Sequence, residues 1–306
     1  MVAEGILELT LGASDGSRLP EWRAGAHVDL VLPLADAEGE PLLRPYSLCG
    51  DVADRFTYRL GILREPAGRG GSAWVHDHVK VGDELAVSPP RNHFPFAMDE
   101  RVLFIAGGIG ITPILPMVRK AIFDSMEWRL IVAARTTARL PFREELAHLP
   151  QDRVRLHCSE ESGMLDLKAL LAPLGPETTV YSCGPAPLLD ALQALNQGAQ
   201  WHLKIERFAA AKQPKAENQP FDVICKASAK RLHVPADKSL LEVLKGAGIK
   251  VDSSCRDGVC GTCETRVLSG TPCHRDSVLS PDERAEGTYM MVCVSRAKSD
   301  VLELDI

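Results

Sequence analysis

The spacing of apolar residues in the first third of the chain predicts a β-structure. From residue 6 to about residue 96, short apolar runs alternate with polar residues in period two, as in residues 28–32 and 56–62. Gly, Pro and Asp turns separate the runs. Period-two runs broken by turn residues are typical of antiparallel strands. This segment is therefore predicted to form a small antiparallel β-barrel.

From Arg101 the pattern changes to strand, glycine turn and helix. Residues 102–106 form a continuous apolar run, as expected for a parallel strand buried on both faces. A glycine turn follows and leads to Thr112, predicted as a helix N-cap, with Pro113 at the first helical position. Further strands are predicted at residues 128–134, 154–157, 180–182 and 202–205. This repetition predicts a doubly wound α/β domain.

The last third of the chain predicts a separate α+β module. Residues 209–220 lack apolar periodicity and are predicted to be a linker. Residues 221–225 and 231–234 resemble a hairpin, and Ser239 with Glu242 fits a capping box that opens an amphipathic helix. The domain boundaries predicted from these patterns are 1–98, 99–208, 209–220 for the linker and 221–306.

Composition narrows the class of protein. A chain of 306 residues suits two or three domains. A net charge of −6 and a pI near 5.9 argue against binding to nucleic acid or to an anionic membrane. Residues 1–10 do not resemble a signal peptide, and no stretch approaches a membrane span. With nine cysteines, an odd number, the expected location is the reducing cytoplasm.

The cysteine spacing near the C-terminus carries the most specific chemistry. The ligand pattern is C-x4-C-x2-C followed by one later cysteine: Cys255, Cys260, Cys263 and Cys293. This is the spacing of plant-type 2Fe-2S sites. Gly258 and Gly261 suit a loop that wraps around a cluster, because such a loop needs positive φ and space. The alternative is a structural zinc site, which usually takes two separated C-x2-C pairs.

Two stretches in the barrel segment have the composition of ligand-binding sites. Arg44, Tyr46 and Ser47 on one strand offer a charge, an aromatic plane and a hydroxyl. The alternative is that the tyrosine fills the barrel and the arginine is solvated. Residues 68–72 are glycine-rich and precede a predicted helix, an arrangement that presents backbone N–H groups to a phosphate. The alternative there is a flexible loop.

The α/β segment carries polar residues where strands are predicted to end. The glycine turn at residues 107–113 begins like a dinucleotide fingerprint but has Pro113 at its third small position. Arg135 follows one strand and suits a dinucleotide phosphate or ribose. Cys183 follows another, and its small side chain suits contact with a nicotinamide ring. A solvated arginine and an inert cysteine are the alternatives.

Taken in order, these motifs resemble the phthalate dioxygenase reductase family. The resemblance implies three domains: an antiparallel β-barrel that binds flavin, a doubly wound α/β domain that binds the nicotinamide nucleotide, and an α+β (β-grasp) plant-type ferredoxin domain. Because the ferredoxin comes last, the chain looks like the branch that contains FMN rather than FAD. The cofactors implied are FMN, a 2Fe-2S cluster and NADH. The preference for NADH over NADPH comes from the resemblance alone, because no acid that binds the ribose and no arginine that binds a 2′-phosphate can be identified in the sequence.

The resemblance also assigns roles to residues of this chain. It implies that Cys183 and Ser47 act at the reacting rings, with Cys183 near the carbon that transfers hydride. The remaining cofactor-binding residues implied are Arg44, Pro45, Tyr46, Gly70, Gly71 and Ser72 for the flavin, Gly108, Thr112, Arg135, Gly184 and Pro185 for the nucleotide, and Phe208 near the flavin. The metal ligands implied are Cys255, Cys260, Cys263 and Cys293.

The function implied is that of the reductase component of a multicomponent oxygenase. NADH gives a hydride to FMN, and single electrons pass through the 2Fe-2S cluster to a separate Rieske-type terminal oxygenase. The chain has no Rieske C-x-H pair of its own. A monomer with a transient partner contact near Arg256 and Asp257 is expected. The alternatives are another acceptor (a cytochrome, a ferric chelate or a diiron hydroxylase) and a non-enzymatic zinc-bound interaction module.

Overall fold

The chain divides into two compact units. The computed structural model describes residues 1–35, 39, 41–210 and 217–306. The first unit is Met1–Phe208 and the second unit is Ala209–Ile306. Half of the predicted linker, residues 211–216, lies outside the described residues, and its described flanks form neither helix nor strand.

The N-terminal part of the first unit is an antiparallel β-barrel, as predicted. Its elements are β1 (Ile6–Gly12), β2 (Ala26–Ala35), β3 (Pro41–Ser47), β4 (Thr57–Leu63), α1 (Gly71–His78), β5 (Ala86–Val87) and β6 (Arg91–Asn92). β1 pairs with β4, while β2 pairs with β3, β5 and β6. Val28, Leu30 and Leu32 alternate along β2 and are fully buried. The period-two pattern therefore places one face of β2 in the barrel core.

The rest of the first unit is a doubly wound α/β fold. Its elements are β7 (Arg101–Gly107), a 3-10 turn (Gly108–Gly110), α2 (Ile111–Phe123), β8 (Glu127–Ala134), a 3-10 turn (Thr137–Arg139), α3 (Arg143–Ala147), β9 (Val154–Cys158), α4 (Ser159–Ser162), α5 (Leu167–Leu171), β10 (Thr178–Cys183), α6 (Ala186–Asn196) and β11 (His202–Glu206). The sheet order is β11-β10-β7-β8-β9, and every neighbouring pair is parallel. The chain reverses its direction of winding at β7, so the carboxyl end of β7 is the switch point at which such folds bind ligands.

The start of α2 differs from the sequence prediction. The helix begins at Ile111 and its N-cap is Gly110, so the prediction of Thr112 as the N-cap was wrong. The reason is the 3-10 turn at Gly108–Gly110, which continues directly into the helix. The Thr112 hydroxyl donates instead to the Ile109 carbonyl at 2.9 Å and is buried. Thr112 therefore stabilises the turn rather than the helix end.

The barrel and the α/β fold are joined by close packing and by charged side chains. A Cβ on Gly61 of β4 would lie 2.7 Å from the Thr112 methyl group and 3.1 Å from the Phe142 ring. Arg119 of α2 donates to the carbonyl of Cys49 at 3.0 Å. These contacts place the start of α2, next to the switch point, against the barrel strands.

The second unit is an α+β fold around a mixed sheet. Its elements are β12 (Phe221–Cys225), β13 (Lys230–Val234), α7 (Leu240–Gly246), β14 (Glu264–Ser269), β15 (Pro272–Cys273), α8 (Pro281–Glu286), β16 (Tyr289–Met291), β17 (Arg296–Ala297) and β18 (Val301–Leu304). The order of the larger sheet is β13-β12-β18-β14-β16, and β12 and β18 are parallel. The predicted hairpin and the Ser239–Glu242 capping box are both present. Buried leucines of α7 pack in the same core as the sheet.

Four of the five cysteines outside the ligand pattern are packing residues: Cys49, Cys158 and Cys225 are buried, and Cys273 is half-buried. No two of the nine cysteines, all within the described part of the chain, form a disulfide. Among the described residues, no helix is long and apolar enough to cross a membrane.

Candidate functional site

The start of α1 forms an anion cradle against β3. Gly70 has φ 85° and caps α1 through its backbone, and no side chain caps this helix start. A Cβ on Gly71 would lie 2.8 Å from Cγ of Arg44, so the arginine stem passes directly over the helix N-terminus. Ser72 Oγ accepts from the Glu65 backbone N–H at 3.0 Å and closes the loop that precedes the helix. A cation beside uncapped N–H groups fits a phosphate, and only glycine leaves room for it.

Three strand ends meet where the barrel faces the α/β sheet, and their last residues are called the strand-end group: Ser47, Cys183 and Glu206. Cys183 and Glu206 are register partners at the ends of β10 and β11. Ser47 is 5% exposed, and its hydroxyl forms a hydrogen bond with the Glu206 carboxyl that lowers the pKa of this carboxyl. Glu206 Oε2 has no hydrogen-bond partner among the described residues. A buried carboxyl oxygen without a partner fits a polar atom of a ligand.

Burial keeps the strand-end group uncharged near neutral pH. It raises the pKa of Glu206 to about 8, and the Ser47 hydroxyl offsets part of this rise. Burial raises the pKa of the Cys183 thiol well above its usual value, and the neighbouring carboxyl of Glu206 contributes a smaller rise. Burial also raises the pKa of Tyr46, the neighbour of Ser47 in β3, to about 12. The group therefore presents neutral donors and a small thiol, which suits the planar rings of a flavin and a nicotinamide.

The buried carboxyl of Glu206 should make stability fall as pH rises. Its ordinary pKa is 4.5 and its folded pKa is about 8, so the folded state binds this proton more tightly. Its stabilising contribution is complete below pH 4.5 and is lost as pH rises to about 8. We expect Glu206→Gln, measured in flavin-free protein by thermal melting, to gain stability relative to the wild type across this range. Melting temperatures with a constant difference at all pH values would contradict this assignment.

The glycine turn (residues 107–110) packs on the residues after β10. A Cβ on Gly107 would lie 2.5 Å from Pro185 Cδ, and one on Gly110 would lie 2.2 Å from the Cys183 carbonyl oxygen. Gly108 has φ 54° and no atom within 4 Å of its Cβ position. The turn therefore packs through Gly107 and Gly110 on Cys183, Gly184 and Pro185, and it leaves an open backbone surface at Gly108. Such a surface fits a pyrophosphate, which needs close approach to the backbone.

The structure does not bring two of the predicted residues to this group. Arg135 lies after β8, on the other side of β7, and its Nε donates to Glu160 Oε1 at 2.7 Å. Phe208 follows Glu206 by two residues and is 43% exposed. The sequence prediction missed Glu206, and within the predicted glycine turn it gave no individual role to Gly107 or Gly110. The signal for Glu206 was an acid at the end of the last predicted strand of this domain.

The four predicted metal ligands are arranged as two pairs: Cys255 with Cys260, and Cys263 with Cys293. A hydrogen bond between the first two thiols lowers the pKa of Cys260 to about 6 and raises that of Cys255. Cys293 likewise lowers the pKa of Cys263. Among the described residues, no three His, Cys, Asp or Glu side chains surround one ion position. Two adjacent thiol pairs fit a cluster of two irons, with one pair for each iron.

The cluster loop (residues 255–263) has the backbone that this ligand set needs. Arg256, Gly258 and Gly261 all have positive φ. The N–H groups of Asp257 and Val259 point at Cys255 Sγ, at 3.4 and 3.5 Å. Such N–H groups stabilise thiolates, so the loop fits an iron-sulfur cluster. A Cβ on Gly258 would lie 2.5 Å from the Val294 side chain, which holds the loop against the segment of the fourth cysteine.

Two protein-family models match the chain. Residues 104–194 match the oxidoreductase NAD-binding domain, and residues 223–298 match the 2Fe-2S iron-sulfur cluster binding domain. The first match covers the glycine turn and Cys183, and the second covers all four cluster cysteines. The chain is thus an NAD-linked, iron-sulfur oxidoreductase.

Relatives of known name cover the whole chain. It is 42% identical over 312 residues to a putative toluene-4-sulfonate monooxygenase system reductase subunit of Comamonas testosteroni, covering 100% of this chain and 96% of the relative. It is 36% identical over 315 residues to the phthalate dioxygenase reductase of Burkholderia cepacia, covering 100% and 94%.

Solved structures show the same architecture. A crystal structure of an intact type IV self-sufficient cytochrome P450 monooxygenase matches with a TM-score of 0.91 and 38% identity, covering 100% of this chain. This chain spans only 40% of the P450 protein's length. The structure of phthalate dioxygenase reductase matches with a TM-score of 0.69 and 36% identity, covering 100% of this chain and 95% of that one. With a barrel, an NAD-binding fold and a 2Fe-2S domain in the same order, the chain belongs to the phthalate dioxygenase reductase family of FMN-containing, iron-sulfur oxidoreductases.

Proposed function

We propose that this protein takes a hydride from NADH at the strand-end group and exports single electrons from the cluster loop to a separate Rieske-type terminal oxygenase. The observation that carries this proposal is the strand-end group itself. Its residues come from the end of a barrel strand and from the ends of two strands of the NAD-binding fold. A flavin on the barrel and a nicotinamide on the α/β sheet would therefore meet at one place.

The residues of the first unit would bind and orient the two ligands. Arg44 and the N-terminus of α1 bind the flavin phosphate, and Pro45, Tyr46 and Ser47 line the ring. Protonated Glu206 donates a hydrogen bond into the site, and the small neutral thiol of Cys183 lets the nicotinamide approach. Bound FMN supplies the conversion between a hydride and single electrons. Thr112 supports the nucleotide side through its hydrogen bond within the turn before α2, and Phe208, two residues after Glu206, would contact the flavin only once it is bound.

The second unit would hold the one-electron carrier. The four cysteines bind the irons, and the backbone N–H groups of the cluster loop stabilise their sulfurs. A plant-type cluster supplies electron transfer at a low potential, roughly −400 mV. The exposed side chain of Asp257 and the half-buried side chain of Arg256 mark the surface at which the partner would dock. A small polar contact is typical of transient electron transfer between proteins.

The relatives support an oxygenase partner. Proteins 36–42% identical to this chain are named as reductases of toluene-4-sulfonate, vanillate, carnitine and phthalate oxygenase systems, and one is named as subunit beta of phenoxybenzoate dioxygenase. A monomer suits a reductase that binds its terminal oxygenase only transiently. We place the flavin domain at residues 1–98, the nucleotide domain at 99–208, the linker at 209–220 and the ferredoxin domain at 221–306, in the cytoplasm.

A second candidate acceptor is a haem monooxygenase. It is favoured by the P450 structure, part of which matches this whole chain with a TM-score of 0.91. The two candidates differ in the partner and not in the chemistry of this chain. Reduction of a purified Rieske oxygenase but not of a P450 haem domain would decide for the first.

The absorbance spectrum of freshly purified protein tests the proposed function. We expect flavin bands on broad iron-sulfur absorption, about two irons and one FMN per chain, and bleaching by NADH without oxygen. Metal analysis and mass spectrometry of the released flavin measure the two cofactors. Zinc without flavin would overturn the proposal, whereas FAD in place of FMN would move the protein to another branch of the family.

A further inference from the structure

An ion pair lies at the carboxyl ends of β8 and β9, away from the strand-end group. Arg135 follows β8, and Glu160 lies in α4, which follows β9. Arg135 Nε donates to Glu160 Oε1 at 2.7 Å, and the Glu160 backbone N–H donates to the Arg135 carbonyl at 3.0 Å. These two bonds hold the carboxylate beside the guanidinium. The two side chains are 70% and 51% exposed, so a ligand can reach both.

The order of the strands places the two halves of a dinucleotide. The nicotinamide must reach the flavin, which the proposed function places beside Ser47 of the barrel. It would therefore lie beside Cys183 and Glu206, at the ends of β10 and β11. The pyrophosphate lies on the glycine turn after β7, the switch point. β8 and β9 are on the other side of β7. The adenosine half therefore extends over the ends of β8 and β9, where its ribose reaches Arg135 and Glu160.

The charges at this position favour a ribose hydroxyl over a ribose phosphate. An unopposed arginine here would accommodate the 2′-phosphate of NADPH, whereas an acid accepts a hydrogen bond from the 2′-hydroxyl of NADH. Arg135 is opposed by Glu160. The next residue, Glu161, accepts from Thr137 Oγ1 at 2.7 Å. The nearby Arg139 also has a carboxylate partner, Glu4, at 3.4 Å.

We infer that Glu160 selects NADH against NADPH. It engages Arg135, accepts the ribose 2′-hydroxyl and repels a 2′-phosphate. The inference rests on the proposed function, since it concerns the nucleotide that feeds the same site. It was not visible in the sequence, where the acid is 25 residues from the arginine that it neutralises.

Glu160→Gln tests the inference, because it removes the charge and keeps the shape. In the flavin-loaded wild-type protein, kcat/KM for ferricyanide reduction should be higher with NADH than with NADPH. The variant should raise kcat/KM for NADPH by about tenfold and lower it for NADH. Calorimetric binding of 2′,5′-ADP and 5′-ADP gives a readout without turnover. There the variant should strengthen binding of 2′,5′-ADP alone.

Glu127→Gln is the matched control. Glu127 is also an exposed partner of an arginine, Arg101 at 3.0 Å. It is the first residue of β8, so it lies at the amino ends of the strands, away from Arg135 and Glu160. Glu127→Gln should leave unchanged the ratio of kcat/KM for NADH to that for NADPH and the ratio of the affinities for 5′-ADP and 2′,5′-ADP. A wild type that prefers NADPH, a Glu160→Gln protein with unchanged selectivity, or an equal effect of Glu127→Gln would each overturn the inference. Failure of both nucleotides to reduce the flavin would instead overturn the proposed function. The relative affinities for 2′,5′-ADP and 5′-ADP would still test the role of Glu160.

Discussion

Cys293→Ser should abolish electron export and spare NADH oxidation. Cys293 comes from a segment outside the cluster loop and pairs with Cys263, so its loss leaves one iron short of a thiolate. The absorption of the cluster should disappear, and reduction of cytochrome c, a macromolecular acceptor, should fall to background. Ferricyanide is a small acceptor that the flavin site can reduce directly, so its reduction by NADH should remain at the wild-type rate.

Cys273→Ser is the control for this prediction. Cys273 is a free, half-buried cysteine of the same unit, and it lies outside the C-x4-C-x2-C pattern. It should keep both activities and the full iron content. Loss of ferricyanide reduction in a folded, flavin-loaded Cys293→Ser protein would contradict the proposed order of electron transfer. Full cytochrome c reduction in that protein would remove Cys293 from the ligand set.

Features encoded within one stretch of chain could be predicted from the sequence. The barrel strands were predicted because apolar residues such as Val28, Leu30 and Leu32 recur at every second position. β7 was predicted because a strand covered on both faces is apolar throughout. The cysteine ligands were predicted because covalent spacing along a short loop limits which thiols can share a cluster. The Ser239 capping box was predicted for the same reason, since both partners lie in one helical turn.

Features that depend on which strand ends become neighbours could not be predicted. The sequence shows only that Glu206 is an acid at the end of a predicted strand, and its buried, protonated state arises because β11 lies beside β10 and faces the barrel. The partner of Arg135 could not be predicted because it lies in α4, which follows the neighbouring strand β9. The wrong N-cap at Thr112 has a local cause, because the 3-10 turn at Gly108–Gly110 leads directly into the helix, which therefore begins before the expected capping residue.

Gly110→Ala should destabilise the first unit more than any other glycine substitution in the glycine turn. The added Cβ would lie 2.2 Å from the carbonyl oxygen and 2.4 Å from the carbonyl carbon of Cys183. Both atoms are backbone atoms of β10, so the clash cannot be relieved by a side-chain rotation. The strand end or the turn must move, which costs about 3 kcal/mol, the upper part of the range for overpacking. The melting temperature of the first unit should fall by about 6 to 12 °C.

The same shift should weaken nucleotide binding, because Gly110 fixes the distance between the glycine turn and Cys183. Gly108→Ala separates this effect from a general intolerance of alanine. Its Cβ would meet no atom within 4 Å, and only its φ of 54° opposes the change, at a cost of about 1 kcal/mol. Calorimetric titration with NAD⁺, with thermal melting of both variants, measures the two effects. A Gly110→Ala protein as stable as Gly108→Ala would show that β10 and the glycine turn are not in contact, and the nucleotide site would then lack its central support.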